Sequence, residues 1–154
     1  MEKCLYVLSK YKYGRSCNLM NETQEGTFQD IAKYKIEQAQ DDLESATLLL
    51  EAGKYKAANN RAYYSCFHAI GAVLALEPIA FKKHKDTLAY FNKNYVHTEI
   101  FPKELGRKIS KLEVIRHKSD YDDFYIASKD EAEQQIYVAK EIVTLTKKFI
   151  NSVH

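Results

Sequence analysis

The sequence predicts an all-α fold, an antiparallel up-and-down bundle of about four long helices plus one short helix. Three observations carry that prediction. Apolar positions return at alternating spacings of four and three along two long segments. One is Ala32, Ile36, Ala39, Leu43, Ala46, Leu50; the other is Ala132, Ile136, Ala139, Val143, Thr146, Ile150, Val153. That is the pattern of a helix face turned toward a partner helix. A third segment, residues 55–76, carries two such ladders at once, too wide an apolar surface for a peripheral element, so it belongs at the centre. Only two prolines and five glycines interrupt 154 residues, which suits long helices.

Residues 1–26 show no sustained period and read as an N-terminal arm without fixed structure. Lys3, Lys10, Lys12 and Arg15 are interleaved there with Tyr6, Tyr11 and Tyr13. A basic-aromatic arm suits a frayed terminus or a contact to RNA. Met20 offers a second start, which would make residues 1–19 an extension with no role. The bundle itself is expected over residues 27–154.

The first helix is expected from Thr27 to Ala52. Thr27 with Asp30 is a weak capping signal, and Gly53 suits the left-handed residue that closes a helix. Asp41, Asp42 and Glu44 read as a solvated face. The turn to the central helix is very short, so the two helices should be antiparallel neighbours.

In the central helix one ladder is Ala62, Cys66, Ala69, Val73, Leu76 and the other Tyr63, Phe67, Ile70, Leu74. The remaining seam is polar: Arg61, Ser65 and His68, with Tyr64 beside it. Burying such groups without partners costs roughly 2–7 kcal/mol each. The seam is therefore either hydrogen-bonded structure or the wall of a binding site. Glu77 and Pro78 end the helix. A basic turn, Lys82, Lys83, His84, Lys85, leads to a short helix over about 85–95 that buries Leu88 and Phe91.

Pro102 suits the first turn of a fourth helix with the stripe Leu105, Ile109, Leu112. The next member of that stripe is Arg116. An arginine where the pattern wants a core residue needs a carboxylate, a group of carbonyls or an anionic ligand. The helix is expected to break into SDYDDFY. There Asp120 either pairs with Arg116 and pins the loop, or leaves Arg116 to meet phosphate. The last helix opens with a capping box, Ser128 to Glu131.

The net charge is +2, which neither demands nor excludes nucleic acid. No apolar run is long enough to span a membrane, and the N-terminus lacks the apolar segment of a signal peptide. Cys4, Cys17 and Cys66 are odd in number and far apart, so a reducing cytoplasm is expected, without a disulfide framework or a zinc site. There is no glycine-rich phosphate loop, no CxxC and no HExxH, and no cofactor is expected. What remains for acid–base or phosphate chemistry is Arg61, His68, His84, Arg116, His117, Asp120 and Tyr121.

Two groups of segments now resemble one family. RAYYSCFHAIGAVLAL and KKHKDTLAYF resemble the second-helix region of HEPN domains. LGRKISKLEVIRHKSDYDDF followed by SKDEAEQQIYVAKEIV resembles the second half of the same domain, so the likeness spans roughly residues 28–150. The resemblance implies a small helical bundle, often a homodimer, and often a toxin or defence effector encoded beside a minimal nucleotidyltransferase. Many relatives are metal-independent ribonucleases whose motif is arginine, four to six residues, then histidine. Arg116 matches the arginine. The first position at which the motif admits histidine is Tyr121, followed by Asp122 and Asp123, so this chain carries R-x-x-x-D-Y instead. The resemblance therefore implies a module that binds nucleotide or RNA, or another protein, with Arg116, Asp120, Tyr121, Arg61, Tyr64, His68 and His84 as ligand-binding candidates. The alternatives are a metal-independent endoribonuclease using Arg116 with His117, Tyr121 or His68, and a purely structural dimer.

Overall fold

The computed structural model describes residues 21–153, with side chains from residue 28 onward. It contains five α-helices: α1 (Asn21–Glu51), α2 (Tyr55–Leu74), α3 (His84–Phe91), α4 (Glu104–Tyr121) and α5 (Lys129–Ser152). Four are long and α3 is short, as the periodicity predicts. No strand occurs among the described residues. None of the described helices is long and apolar enough to cross a membrane. Residues 1–20, with the basic-aromatic stretch and the second start at Met20, lie outside the described residues, while residues 21–26 of the expected arm are helical.

α2 is the central element and packs against α1, α4 and α5. Its fully buried alanines, Ala58, Ala62, Ala69 and Ala72, let neighbouring backbones approach closely. The Ser65 hydroxyl, also fully buried, donates to the Ala39 carbonyl at 2.6 Å and rivets α2 to α1. Ser65 thus belongs to the structural part of the polar seam. Cys66 is a buried free thiol, and burial pushes its pKa up, which suits a small hydrophobe.

α1 differs from expectation at its start. It reaches back to Asn21, so Thr27 lies inside the helix instead of at its start. The preceding stretch, NETQEG, has no proline and one glycine, and nothing in it stops a helix from propagating backward. The other end is as expected. Gly53 sits at φ +71°, its N–H donates to Leu50 at 3.0 Å, and the Lys54 N–H donates to Leu49 at 2.8 Å. This is a Schellman closure, which turns the chain sharply into α2.

α3 continues through one π-helical turn, Asn92–Val96, which buries both Tyr95 and Val96. Phe91, Tyr95, Phe101 and Phe149 form an aromatic cluster beneath it. Glu77, buried at the end of α2, accepts hydrogen bonds from Tyr90 (2.8 Å) and Tyr95. These bonds tie the α2–α3 connection to the core.

α4 also runs further than expected. SDYDDFY does not break it at Ser119; the helix holds through Tyr121 and ends at Asp122. Asp120 lies one turn beyond Arg116 and pairs with it along the helix, which supports the extra turn. Asp122 then accepts from the Phe124 N–H at 3.0 Å and turns the chain. Ser128 caps α5, accepting from the Glu131 N–H at 3.2 Å.

Candidate functional site

The polar seam of α2 and the arginine of α4 meet in one continuous network. Arg61 Nη1 lies 3.0 Å from Asp42 Oδ1, and Asp42 Oδ2 lies 2.8 Å from His68 Nδ1. Arg61 Nε and Nη2 donate to Asn60 Oδ1 at 3.2 and 2.9 Å. Asn60 Nδ2 in turn donates to both Asp120 oxygens at 2.8 and 3.0 Å. Asp120 Oδ2 stands 2.9 Å from Arg116 Nε, and Arg116 Nη2 donates to the Tyr64 hydroxyl at 3.1 Å.

Asp42 corrects the sequence expectation of a solvated acidic face. Its side chain is only 12% exposed and serves both Arg61 and His68. The signal was present in the spacing. Asp42 lies three residues after Ala39 and four before Ala46, on the apolar seam itself. Its neighbour Asp41 does face solvent and made the pair look uniform. Asn60 was also missed, and it is the link between the two halves of the network.

Tyr64 is the common floor. The Arg61 guanidinium lies 4.9 Å from its ring centroid and that of Arg116 5.5 Å. Arg116 also lies 5.4 Å from the Tyr63 ring and 5.7 Å from Tyr121. Aromatic faces hold a guanidinium without consuming its N–H donors.

The two arginines differ in a way that matters for ligands. Each Arg61 nitrogen has a hydrogen-bond acceptor. Arg116, 19% exposed, has one hydrogen-bonded nitrogen, Nη2. Its Nε is close to Asp120, but the N–H is not aimed at the oxygen, so that contact is Coulombic only. Arg116 is therefore positioned and partly neutralised, yet keeps donor capacity.

His84, the first residue of α3, completes the face. Its ring stacks on Phe67 with centroids 3.8 Å apart and meets the edge of Tyr64 at 5.9 Å. Nδ1 lies 3.3 Å from the Tyr63 hydroxyl. Burial, then the charges of Arg116 and His68, lower the His84 pKa from its ordinary value, with Glu113 opposing. Burial raises the Tyr63 pKa, so its hydroxyl stays protonated where it meets the His84 ring.

A histidine whose pKa is lower in the folded than in the unfolded state takes up protons preferentially on unfolding. Stability is retained above the ordinary value of 6.5 and falls as pH drops through it toward the folded value. Melting temperatures recorded from pH 7.5 down to about 5 should fall less steeply for His84→Gln than for the unaltered chain.

His117 stands apart from the network; it is exposed, with its ring 4.9 Å from that of Tyr121. Tyr121 is 66% exposed. Glu113, three residues before Arg116, influences both Tyr63 and His84 and was not anticipated. Among the described residues no group of three or more His, Cys, Asp or Glu side chains could hold a metal ion.

The HEPN domain family matches residues 32–149, a span that includes every residue of the network. A UPF0332 protein of Thermotoga maritima is 29% identical over 123 residues, covering 80% of this chain and 93% of that protein. Two Methanocaldococcus jannaschii proteins, each named "Putative toxin", are 32% and 33% identical. They cover 76% and 77% of this chain, and 80% and 87% of their own lengths. The family match spans most of the sequence and contains the whole α2–α4 face, and on that ground the chain belongs to the HEPN domain family.

Proposed function

We propose that this chain is a HEPN module of a toxin–antitoxin or defence pair, and that it binds RNA or nucleotide phosphate at Arg116. In this reading it acts in the cytoplasm as a homodimer, with a minimal nucleotidyltransferase as its protein partner. The observation that carries the reading is Arg116 itself: held on aromatic rings, near the surface, with a guanidinium whose donors are not all used. A phosphate is the ligand such a fork suits. The names of two relatives, which contain the word toxin, agree with it. Tyr121 at the histidine position of the ribonuclease motif favours binding over cleavage, because a phenol is a poorer proton shuttle at neutral pH than an imidazole.

Titration of a labelled RNA oligonucleotide in EDTA, followed by fluorescence anisotropy, tests this. Binding should weaken steeply as salt rises from about 50 to 200 mM, and the RNA should remain intact on a gel. No binding at low salt would refute it and leave a structural dimer. Light scattering gives the oligomeric state; a strict monomer counts against the dimer.

The endoribonuclease reading has one observation in its favour. His68 and His84 bring two imidazoles from other parts of the chain to the Tyr64–Arg116 face. Cleavage in EDTA that disappears in a folded Arg116→Ala variant would establish that reading instead.

A further inference from the structure

A groove of about 300 Å³ remains between the first turns of α1, the last turns of α2 and the connection to α3. α1 contributes Phe28, Ile31 and Lys35, one helical stripe at spacings of three and four. α2 contributes Gly71 and Ala75, one turn apart, and Ile79 and Phe81 of the connection form a third wall. Ile31 and Phe81 are 40% and 37% exposed, so apolar surface stays open on two of the walls. Glycine inside a helix is destabilising relative to alanine. At Gly71 the nearest atoms that a Cβ would meet belong to the Lys35 side chain, at 3.5 to 3.8 Å, which is ordinary contact. The packing of this chain therefore does not require a glycine there, and what Gly71 leaves is room in the groove beside Lys35.

Charge narrows what fits. The Lys35 ammonium makes no ion pair and no hydrogen bond with any described residue. Glu77 also lines the groove, but it is buried and accepts hydrogen bonds from Tyr90 and Tyr95. Directly after Phe81 come Lys82, Lys83 and Lys85, all exposed and none of them ion-paired among the described residues. Apolar walls bordered by unpaired ammonium groups call for an occupant that is apolar along one side and acidic beside it. Residues 1–20 of this chain are the wrong occupant, because Lys3, Lys10, Lys12 and Arg15 stand against Glu2 alone and bring like charge. A nucleic acid supplies the negative charge but no aliphatic surface for Ile31, Ala75 and Ile79.

Two of the walls are helices, and helical stripes at spacings of three and four receive the side chains of a third helix between them. We propose that this groove docks an acidic amphipathic helix of a partner protein. Its apolar stripe lies between α1 and α2, and its carboxylates meet Lys35, Lys82, Lys83 and Lys85. Gly71 then has a role, since a missing side chain lets the incoming helix come close to α2. The proposal concerns a protein ligand and does not depend on phosphate binding at Arg116.

The test uses the full chain and three labelled helical peptides, followed by fluorescence anisotropy. The first carries leucine at spacings of three and four and glutamate elsewhere. The second has lysine for every glutamate, and the third alanine for every leucine. Only the first should bind, and more weakly as salt rises. Lys35→Glu should weaken its binding by about tenfold, and Lys35→Arg should keep it. Gly71→Met should also weaken it by about tenfold while the melting temperature holds or rises, because methionine is the better helix former and its side chain can lie in the groove. Equal binding of the glutamate and lysine peptides, or no binding of either, would overturn the proposal, and this comparison needs no variant to fold. Normal peptide binding by both Lys35→Glu and Gly71→Met would overturn it as well. RNA titration and light scattering on Gly71→Met should match the unaltered chain. Lost RNA binding would give the groove to RNA, and a changed oligomeric state would give it to a second copy; either result would overturn the proposal.

Discussion

Arg116→Ala is expected to weaken RNA binding by about tenfold or more and to lower the unfolding free energy by roughly 2–4 kcal/mol. The two effects have different origins. Binding falls because the guanidinium keeps one terminal nitrogen, Nη1, with no hydrogen bond to any described residue, while Nη2 is held by Tyr64 and Nε is buried. Stability falls because alanine leaves Asp120, whose side chain is 23% exposed, with Asn60 but no cation, and removes a cation from three aromatic faces. A fully buried pair broken on one side costs about 3–5 kcal/mol, and partial exposure here reduces that. Arg116→Lys separates the effects. It keeps the charge beside Asp120 but loses the planar fork, so it should recover much of the stability and little of the binding. Urea unfolding and RNA titration on the same preparations provide both readouts.

Asp42→Ala is expected to cost about 2–3 kcal/mol with little change in the first contact to RNA. Its carboxylate is nearly covered and serves Arg61 and His68 together. Alanine leaves both groups without their acceptor, one of them more than three-quarters covered. Arg61 is 40% exposed and can recover some hydration, which keeps the loss below that of a fully buried pair. A double-mutant cycle with His68→Ala should show strong coupling, because the two residues share one bond. Additive losses would mean that the contact contributes nothing to stability.

Much of this was legible in the sequence, for identifiable reasons. The ladders on the first, central and last helices reported their buried faces, because helical spacing maps directly onto one side of a cylinder. Gly53 and Ser128 reported the ends they close, since each satisfies a local backbone requirement. Arg116 stood out as a charge at a core position, and its pairing with Asp120 needed only one helical turn. Contacts between elements were harder. Asp42 belongs to the site because α1 lies against α2, and its role depends on which neighbour it faces. Asn60 joins the two halves of the network over sixty residues of separation, which no local pattern encodes. His84 was a ligand candidate, yet its anchoring by Tyr63 and Phe67 depends on how the α2–α3 connection folds back. The end of α4 was misplaced because aspartates in SDYDD signal a turn in isolation, whereas Asp120 is bound on both sides and stays helical.

Asp120→Asn tests most directly the proposed role of Arg116 as a phosphate ligand restrained by Asp120. The amide keeps the size of the side chain and can still accept from Asn60, but it no longer cancels the guanidinium charge. RNA titration of the two proteins at one low salt concentration should show Asp120→Asn binding about three- to tenfold tighter, while its melting temperature falls. Equal or weaker binding by Asp120→Asn would contradict the account and make the Arg116–Asp120 pair part of the scaffold alone.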